Sequence, residues 1–552
     1  MKKPILTLLF FVFNIGLYAQ SCGAGGINLT TQAQVDSFQI LYPGCSEIIG
    51  DVTINGADIV NLNALSTVHI IDGNLMFWYS NLTSFTGLEN LSSVGGLVKI
   101  YNNYYLTDLI GLSSLSSIGT DLIIDNNGLI TDLNGLNSLT TVGGNIKING
   151  NNSLLNLSGL NGLSSTHDLQ ITFNQSLLNL TGLNSISLIN GNLNIEDNNN
   201  IIDFTGLNNL NSINGNVNIF NNPSILSLTG LESLNSVTGD FAFEQNYGII
   251  NLQGLNTLST LTGNLKINYN YSLLTISGFN GINTIPGNIN IESNAIQNIT
   301  GFTQLNSVGN LTISNNSSLG SISGLTALNT VLNHLTLKGI SISDLTGLSS
   351  LTTINGAFTL NNCYFLANFQ GVSLLNSIGG NLDIYNNSNL INLTGLNGLN
   401  SIGGSLYVNS NSSLINLNGL SSLNSIGDSF HIQSNISFES FTGAELLTTV
   451  SGPIIVENNN TLLNLNGLTG LSLIGSNLDI NNNNQLSQIS GLNSLNSIGG
   501  NFRLFHNPDL TDLTGLTVLN TIAGDLNLNQ NYSLVNLEGL NHTINIDGDL
   551  II

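Results

Sequence analysis

Apolar residues recur at two periods along this chain. In Asn381-Leu382-Asp383-Ile384-Tyr385-Asn386-Asn387, the apolar Leu382 and Ile384 alternate with polar or amphipathic neighbours, the period of two that marks a short strand. From Leu390 the apolar positions are Leu393, Leu396, Leu399 and Ile402, every third residue. A spacing of three suits tight turns or 3₁₀ geometry, and the Asn, Ser and Gly between these positions are poor helix formers. Each segment therefore reads as one short strand followed by an extended or 3₁₀ return.

The whole unit then repeats. A glycine followed by an apolar residue recurs from Gly87 to Gly539 at nineteen intervals, fifteen of 24 residues and four of 23. Self-similarity at this period marks a solenoid, in which each turn buries its apolar side only against its neighbours. The expected fold is mainly β: a single right-handed β-solenoid of about twenty-one coils, with one continuous parallel sheet ~100 Å long at the usual strand spacing.

An Asn stands at the place of Asn387 in most turns, among them Asn103, Asn127, Asn151, Asn174, Asn198, Asn222, Asn246, Asn270, Asn316, Asn411, Asn435, Asn459, Asn483, Asn507 and Asn531. Its amide both donates and accepts, so a stack of them would satisfy the backbone groups left open where each strand ends. Ser80, Ile340 and Cys363 replace it, and Cys363 reads as a buried substitute rather than a reactive thiol.

The motif Leu-x-Ile-x-x-Asn-x-x-Leu-x-x-Leu resembles the signature of leucine-rich repeats. Leu106-Thr107-Asp108-Leu109 and Leu390-Ile391-Asn392-Leu393, the latter followed by Thr394-Gly395-Leu396, are similar to bacterial internalin-type repeats. Residues Thr31 to Leu41, Cys45 and Gly50-Asp51-Val52-Thr53-Ile54 resemble the opening of a receptor L domain, with its short helix, Cys and first strand. The resemblance covers residues 22 to 552 and implies the fold and a use in binding, with no particular ligand. It departs from receptor L domains in having about four times their number of turns.

Composition bounds the function. Only 7% of residues are charged and the net charge is −24, which opposes nucleic acid and anionic membrane surfaces as partners. Residues 1–20 read as a secretory signal peptide, with Lys2 and Lys3 ahead of the apolar stretch Pro4 to Leu17; no transmembrane segment is expected in the mature chain. Residues 21–50 are expected to form an N-terminal cap, with Thr30 or Thr31 as N-cap and Val35, Phe38 and Leu41 on one face. Residues 51–552 form the solenoid, and Leu550-Ile551-Ile552 fall at strand positions of a further turn, so the end is expected to be uncapped. Cys22 and Cys45 are placed to pair across the cap in an oxidising compartment, and Ala19-Gln20-Ser21 lacks the Leu usual before a lipidated Cys. The expected location is secreted or on the bacterial cell surface.

No catalytic, cofactor or metal motif stands out. His69, His167, His334, His431, His506 and His542 are scattered without ligand spacing. Asp108, Asp132, Asp203, Asp344 and Asp512 share one column, but Asn156, Asn179, Asn392 and Asn536 occupy it too, so a turn role is expected ahead of a Ca²⁺ site. The chain is read as a non-enzyme without cofactors.

Variation concentrates at the outward strand positions, which carry aromatic residues suited to anchoring a ligand. The candidate contacts are Phe77, Trp78, Tyr79, Tyr101, Tyr104, Tyr105, Phe220, Tyr385, Tyr407 and Phe505. The functional expectation is recognition or adhesion toward an extracellular protein or glycan. The alternative is a structural or surface-active solenoid, as in ice-binding proteins, using the Thr-rich column before the repeat glycine; Ile110, Gln253, Gln370 and Glu538 interrupt that column.

Overall fold

The alternation at Leu382–Tyr385 folds as a strand because its two apolar side chains have one dry side to occupy. Leu382 and Ile384 are fully buried while Asp383 and Tyr385 face outward half-buried. In the computed structural model, which describes residues 20–541 and 544–552, this strand pairs in parallel with the strand 24 residues later. The register runs Leu382 to Leu406, Asp383 to Tyr407, Ile384 to Val408 and Tyr385 to Asn409. A second, two-residue strand, Ser401–Ile402, pairs likewise with Ser425–Ile426. Each coil thus joins two parallel columns, and Leu390, Leu393, Leu396, Leu399 and Ile402 fill the interior between them.

The spacing of three has a direct cause. Most inward Leu on the return donate their N–H to the carbonyl three residues back, as Leu390 to Asn387, Leu396 to Leu393 and Leu399 to Leu396, while the apolar position two before the repeat glycine bonds to the next coil, as Leu417 to the Thr442 carbonyl. Where one such turn extends it becomes 3₁₀ helix, as at Thr346–Leu348 and Ser490–Leu492. The repeat glycine is required by two features together. At Gly395 φ is +115°, and an added Cβ would lie 2.0 Å from the Phe369 carbonyl oxygen of the coil below.

The chain forms two compact units, Met1–Ser164 and Ser165–Ile552, where a single body was expected. Main-face strands run from Ile27–Leu29 to Ile146–Asn149 in the first and from Leu169–Thr172 to Leu550–Ile551 in the second. There are about twenty-two turns, one more than expected, because the first coils precede the glycine column. In the second unit Thr284–Glu292 and Ser307–Ser314 run through the corner that other coils turn, and so join the two strand columns there. The segment read as a leader, residues 1–20, lies outside the described residues except for Gln20.

The cap departs from expectation in one respect. Thr31 caps the helix Gln32–Asp36 in a full capping box with Gln34, but the helix breaks at Ser37 and restarts as Phe38–Leu41. The break rotates the second piece: Val35 and Phe38 are fully buried, whereas Leu41 is 65% exposed instead of sharing their face. Gln32 and Gln39 tie the helices to the next coil by donating to the carbonyls of Asn61 and Ala64 at 3.3 and 2.8 Å. Cys22 and Cys45 form a disulfide with a Cα–Cα distance of 5.9 Å.

Two side-chain ladders finish the strands. Asn411, fully buried, accepts the Asn387 N–H at 3.0 Å on Oδ1 and donates from Nδ2 to the Ile384 and Asn409 carbonyls at 2.9 and 3.1 Å. Its own N–H goes to Asn435 Oδ1 at 2.9 Å, so the pattern passes from coil to coil. Cys363 holds the same place with its thiol toward the Leu337 and Asn361 carbonyls, and burial pushes that thiol up to about 12. A second ladder precedes the strand. Asp240, Asn264, Asn477 and Asn501 each accept, on Oδ1, the N–H of the residue 24 positions later at 2.7 to 2.9 Å.

Replacing Asn411 by Leu is expected to strip partners from the Asn387 N–H and the Ile384 carbonyl, costing about 1–3 kcal/mol for each buried group left unpaired. Thermal or denaturant unfolding of Asn411→Leu reads this as a clear loss of stability, and an unchanged transition would show that the ladder carries no weight.

Candidate binding face

Because a strand sends alternate side chains to opposite faces, each main-face strand offers two outward positions, and parallel pairing aligns them into columns. Within the second unit one column reads Asp383, Tyr407, His431, Ile455, Asp479, Arg503. Its neighbour reads Tyr385, Asn409, Gln433, Glu457, Asn481, Phe505. Tyr385 donates its hydroxyl to Asp383 Oδ1 at 3.2 Å, and Thr359 donates to Asp383 Oδ2 at 3.3 Å. Burial still holds the Asp383 carboxyl above its usual value, against those two bonds, and burial followed by the Asp383 charge holds the Tyr385 phenol well above its own.

Tyr407 and His431 pack with ring centroids 4.7 Å apart. Burial lowers the imidazole below its ordinary 6.5, opposed by the Asp428 charge. Arg503 reaches Asp479 at 3.4 Å, yet burial outweighs the guanidinium and leaves the Asp479 carboxyl raised. Phe220 stands between Glu196 and Glu244 on the adjacent strands.

In the first unit the columns read Met76, Lys99, Ile123, Lys147 and Trp78, Tyr101, Asp125, Asn149. Lys99 Nζ lies 5.0 Å from the centre of the Tyr101 ring and 5.7 Å from that of Trp78, a double cation–π contact. Tyr79, held at φ +54°, meets Tyr101 edge-on at 6.1 Å. Tyr79, Tyr104 and Tyr105 are 50%, 58% and 57% exposed. The Trp78 indole N–H is buried with no acceptor among the described residues.

Phe77 does not join this face. The alternation that sends Met76 and Trp78 outward sends Leu75 and Phe77 inward, and Phe77 is fully buried against Phe85 with centroids 4.3 Å apart. The other nine candidate residues lie on the outward strand positions or in the turn that follows them.

The placement of charge is the stronger observation. Of seven Lys and Arg in the chain, Lys2 and Lys3 fall outside the described residues; Lys99, Lys147, Lys266, Lys338 and Arg503 all occupy outward main-face strand positions. The single Trp is there as well, and all tyrosines except Tyr18 and Tyr42 lie on these strands or in the turn that follows them. Aromatic type alone pointed to this face. Lys99, Asp383 and His431, which the same alternation sends outward, complete its chemistry.

The acidic column serves turns. Asp108, Asp132, Asp203, Asp344 and Asp512 each accept the N–H two residues on, at 2.9 to 3.0 Å. Bonds from Thr346 and Thr514, side chain first, hold the Asp344 and Asp512 carboxyls below their ordinary value. Among the described residues no group of three or more His, Cys, Asp or Glu is placed to hold a metal ion, and no helix is long and apolar enough to cross a membrane.

Residues 44–131 match the Receptor L domain family. Over those residues the coils are receptor L-domain-like. The functional domain of InlJ from Listeria monocytogenes, which includes a cysteine ladder, is similar at 15% identity over 71% of this chain and 75% of that one, with a TM-score of 0.23. A leucine-rich repeat protein from Bacteroides ovatus ATCC 8483 is similar at 15% identity over 74% and 82%, with a TM-score of 0.19. No curated protein matches the chain.

His431 is expected to titrate below 6.5 in the folded protein. The folded state then binds fewer protons than the unfolded one, so stability is lost as pH falls below 6.5. Imidazole NMR titration, assigned with His431→Asn, reads the midpoint, and Tyr407→Ala moves it up toward 6.5 by exposing the ring; a midpoint at or above 6.5 in the unmutated protein contradicts the packing described.

Proposed function

We propose that this is a non-catalytic recognition protein, secreted or held at a bacterial cell surface, that binds an extracellular protein or glycan through the outward side chains of its main strand face. The observation that carries the reading is the confinement of every described basic residue and the only Trp to that face, in a chain that otherwise repeats its polar residues almost unchanged. Stacking of the coils does not require such confinement, because they stack through inward Leu and Ile and through Asn, and of the five cations only Arg503 pairs with a carboxylate among the described residues. Binding surfaces draw most of their energy from a few Trp, Tyr and Arg anchors. Anchors fixed on paired strands lose little entropy on binding. The leader-like residues 1–20 support export.

The surface-active alternative relies on the free hydroxyls of the Thr column. At Thr346 and Thr514 those hydroxyls donate to Asp344 and Asp512 within the turn, at 2.5 and 2.6 Å, which favours a turn role for them.

The test is a screen of extracellular-matrix proteins and glycans, with the intact chain beside the triple variant Trp78→Ala, Tyr101→Ala, Tyr385→Ala. Loss of an anchor worth about 2 kcal/mol weakens binding roughly 30-fold. A triple variant that folds and binds every ligand as the intact chain does would remove this face as the site.

A further inference from the structure

We infer that the outward face of the first unit binds a linear polysaccharide carrying a carboxylate on every second sugar, a uronate-bearing glycan; this rests on the reading of the face given above.

Three features of the patch point to that chemistry. The first is the state of its cations. Lys99 and Lys147 are half-buried, and neither forms an ion pair among the described residues although acidic residues outnumber basic ones 31 to 7 in the sequence. Lys99 instead lies over Tyr101 and Trp78, so its ammonium is held beside two ring faces with N–H donors to spare. A pyranose with an equatorial C–H face can stack on such a ring while its carboxylate meets the ammonium.

The second is spacing. Lys99 and Lys147 share one column, separated by the strand that carries Ile123, so they stand two strand spacings apart, about 10 Å. That is near the step of a disaccharide, and it places a cation at alternate sugars of an extended chain laid across the strands.

The third is what interrupts them. Asp125, on the intervening strand two residues beyond Ile123 and bonded by Asn149 Nδ2 at 2.6 Å, sets a negative charge in the neighbouring column, diagonal to both lysines. With a net charge of −24 behind it, the face repels a polymer charged at every sugar or densely sulfated, and accepts one whose charges alternate with neutral units. An acidic protein segment has no reason to match that alternation along the strand stack.

Hyaluronan oligomers serve as the probe, with their methyl-esterified form as the same chain without charge and dextran sulfate as a dense anion. By calorimetry on the full chain, hyaluronan is expected to bind at least tenfold tighter than its ester, with the difference fading in high salt. Lys99→Gln and Lys147→Gln should each weaken hyaluronan, the double variant should fall to the level of the ester, and none of them should change the ester, while Lys99→Arg retains most of the affinity. Dextran sulfate bound more tightly than hyaluronan overturns the proposal, as does equal binding of hyaluronan by Lys99→Gln and the intact chain. A protein or neutral glycan whose binding is lost in Trp78→Ala but kept in Lys99→Gln overturns the uronate assignment and leaves the face as the site. If no ligand responds to either substitution, the face itself is excluded.

Discussion

Every coil of a parallel solenoid must end a strand while its neighbours also end theirs, which leaves a rank of N–H and C=O groups facing a dry interior. Burying such groups unpaired costs far more than their hydrogen bonds return on folding. The buried Asn column meets this constraint with one side chain per turn: Oδ1 takes the N–H of the coil before, and Nδ2 returns bonds to carbonyls. The period follows from it. A coil with its Asn out of register would leave its neighbour's groups open as well as its own, and bonded ladder positions stand 22 to 24 residues apart.

Once those groups are satisfied inside, the outer face has no structural duty. The inward positions accept only Leu, Ile, Val, Phe and a few others, the repeat glycine accepts no Cβ, and the turn before it is closed by a short polar side chain bonding two residues on. Outward strand positions carry none of these demands and hold Lys, Arg, Asp, His, Trp, Tyr and Phe in turn. Stability and recognition are therefore assigned to different side chains of the same strand, one residue apart. The fold pays for this arrangement locally, in the buried Trp78 indole N–H that has no acceptor among the described residues.

Much of this was legible in the amino acids because a repeat compares the chain with itself. Leu382 and Ile384, the ladder Asn, the return through Leu390 to Ile402 and the turn role of Asp108 all stand out by recurrence. The second ladder did not, because Asp240, Asn264, His334 and Ser405 fill its column, and what unites them is only that each accepts a backbone N–H from the next coil. Phe77 was misplaced by weighing its type over its parity with Leu75. Leu41 was misplaced because helical spacing does not show that Ser37 ends one helical piece and begins another. The division at Ser164 falls in the 23-residue interval from Gly159 to Gly182, but three other intervals of that length carry no division, so the spacing alone does not mark it.

The ladder is tested most directly by native-state hydrogen exchange at Asn387, Asn411 and Asn435, whose amides donate to side chains and not to backbone. Protection as deep as that of the strand amides of Ile384 and Val408 is the expected result. Exchange as fast as in the exposed turn residues beyond would contradict a buried ladder as the element on which the coils depend.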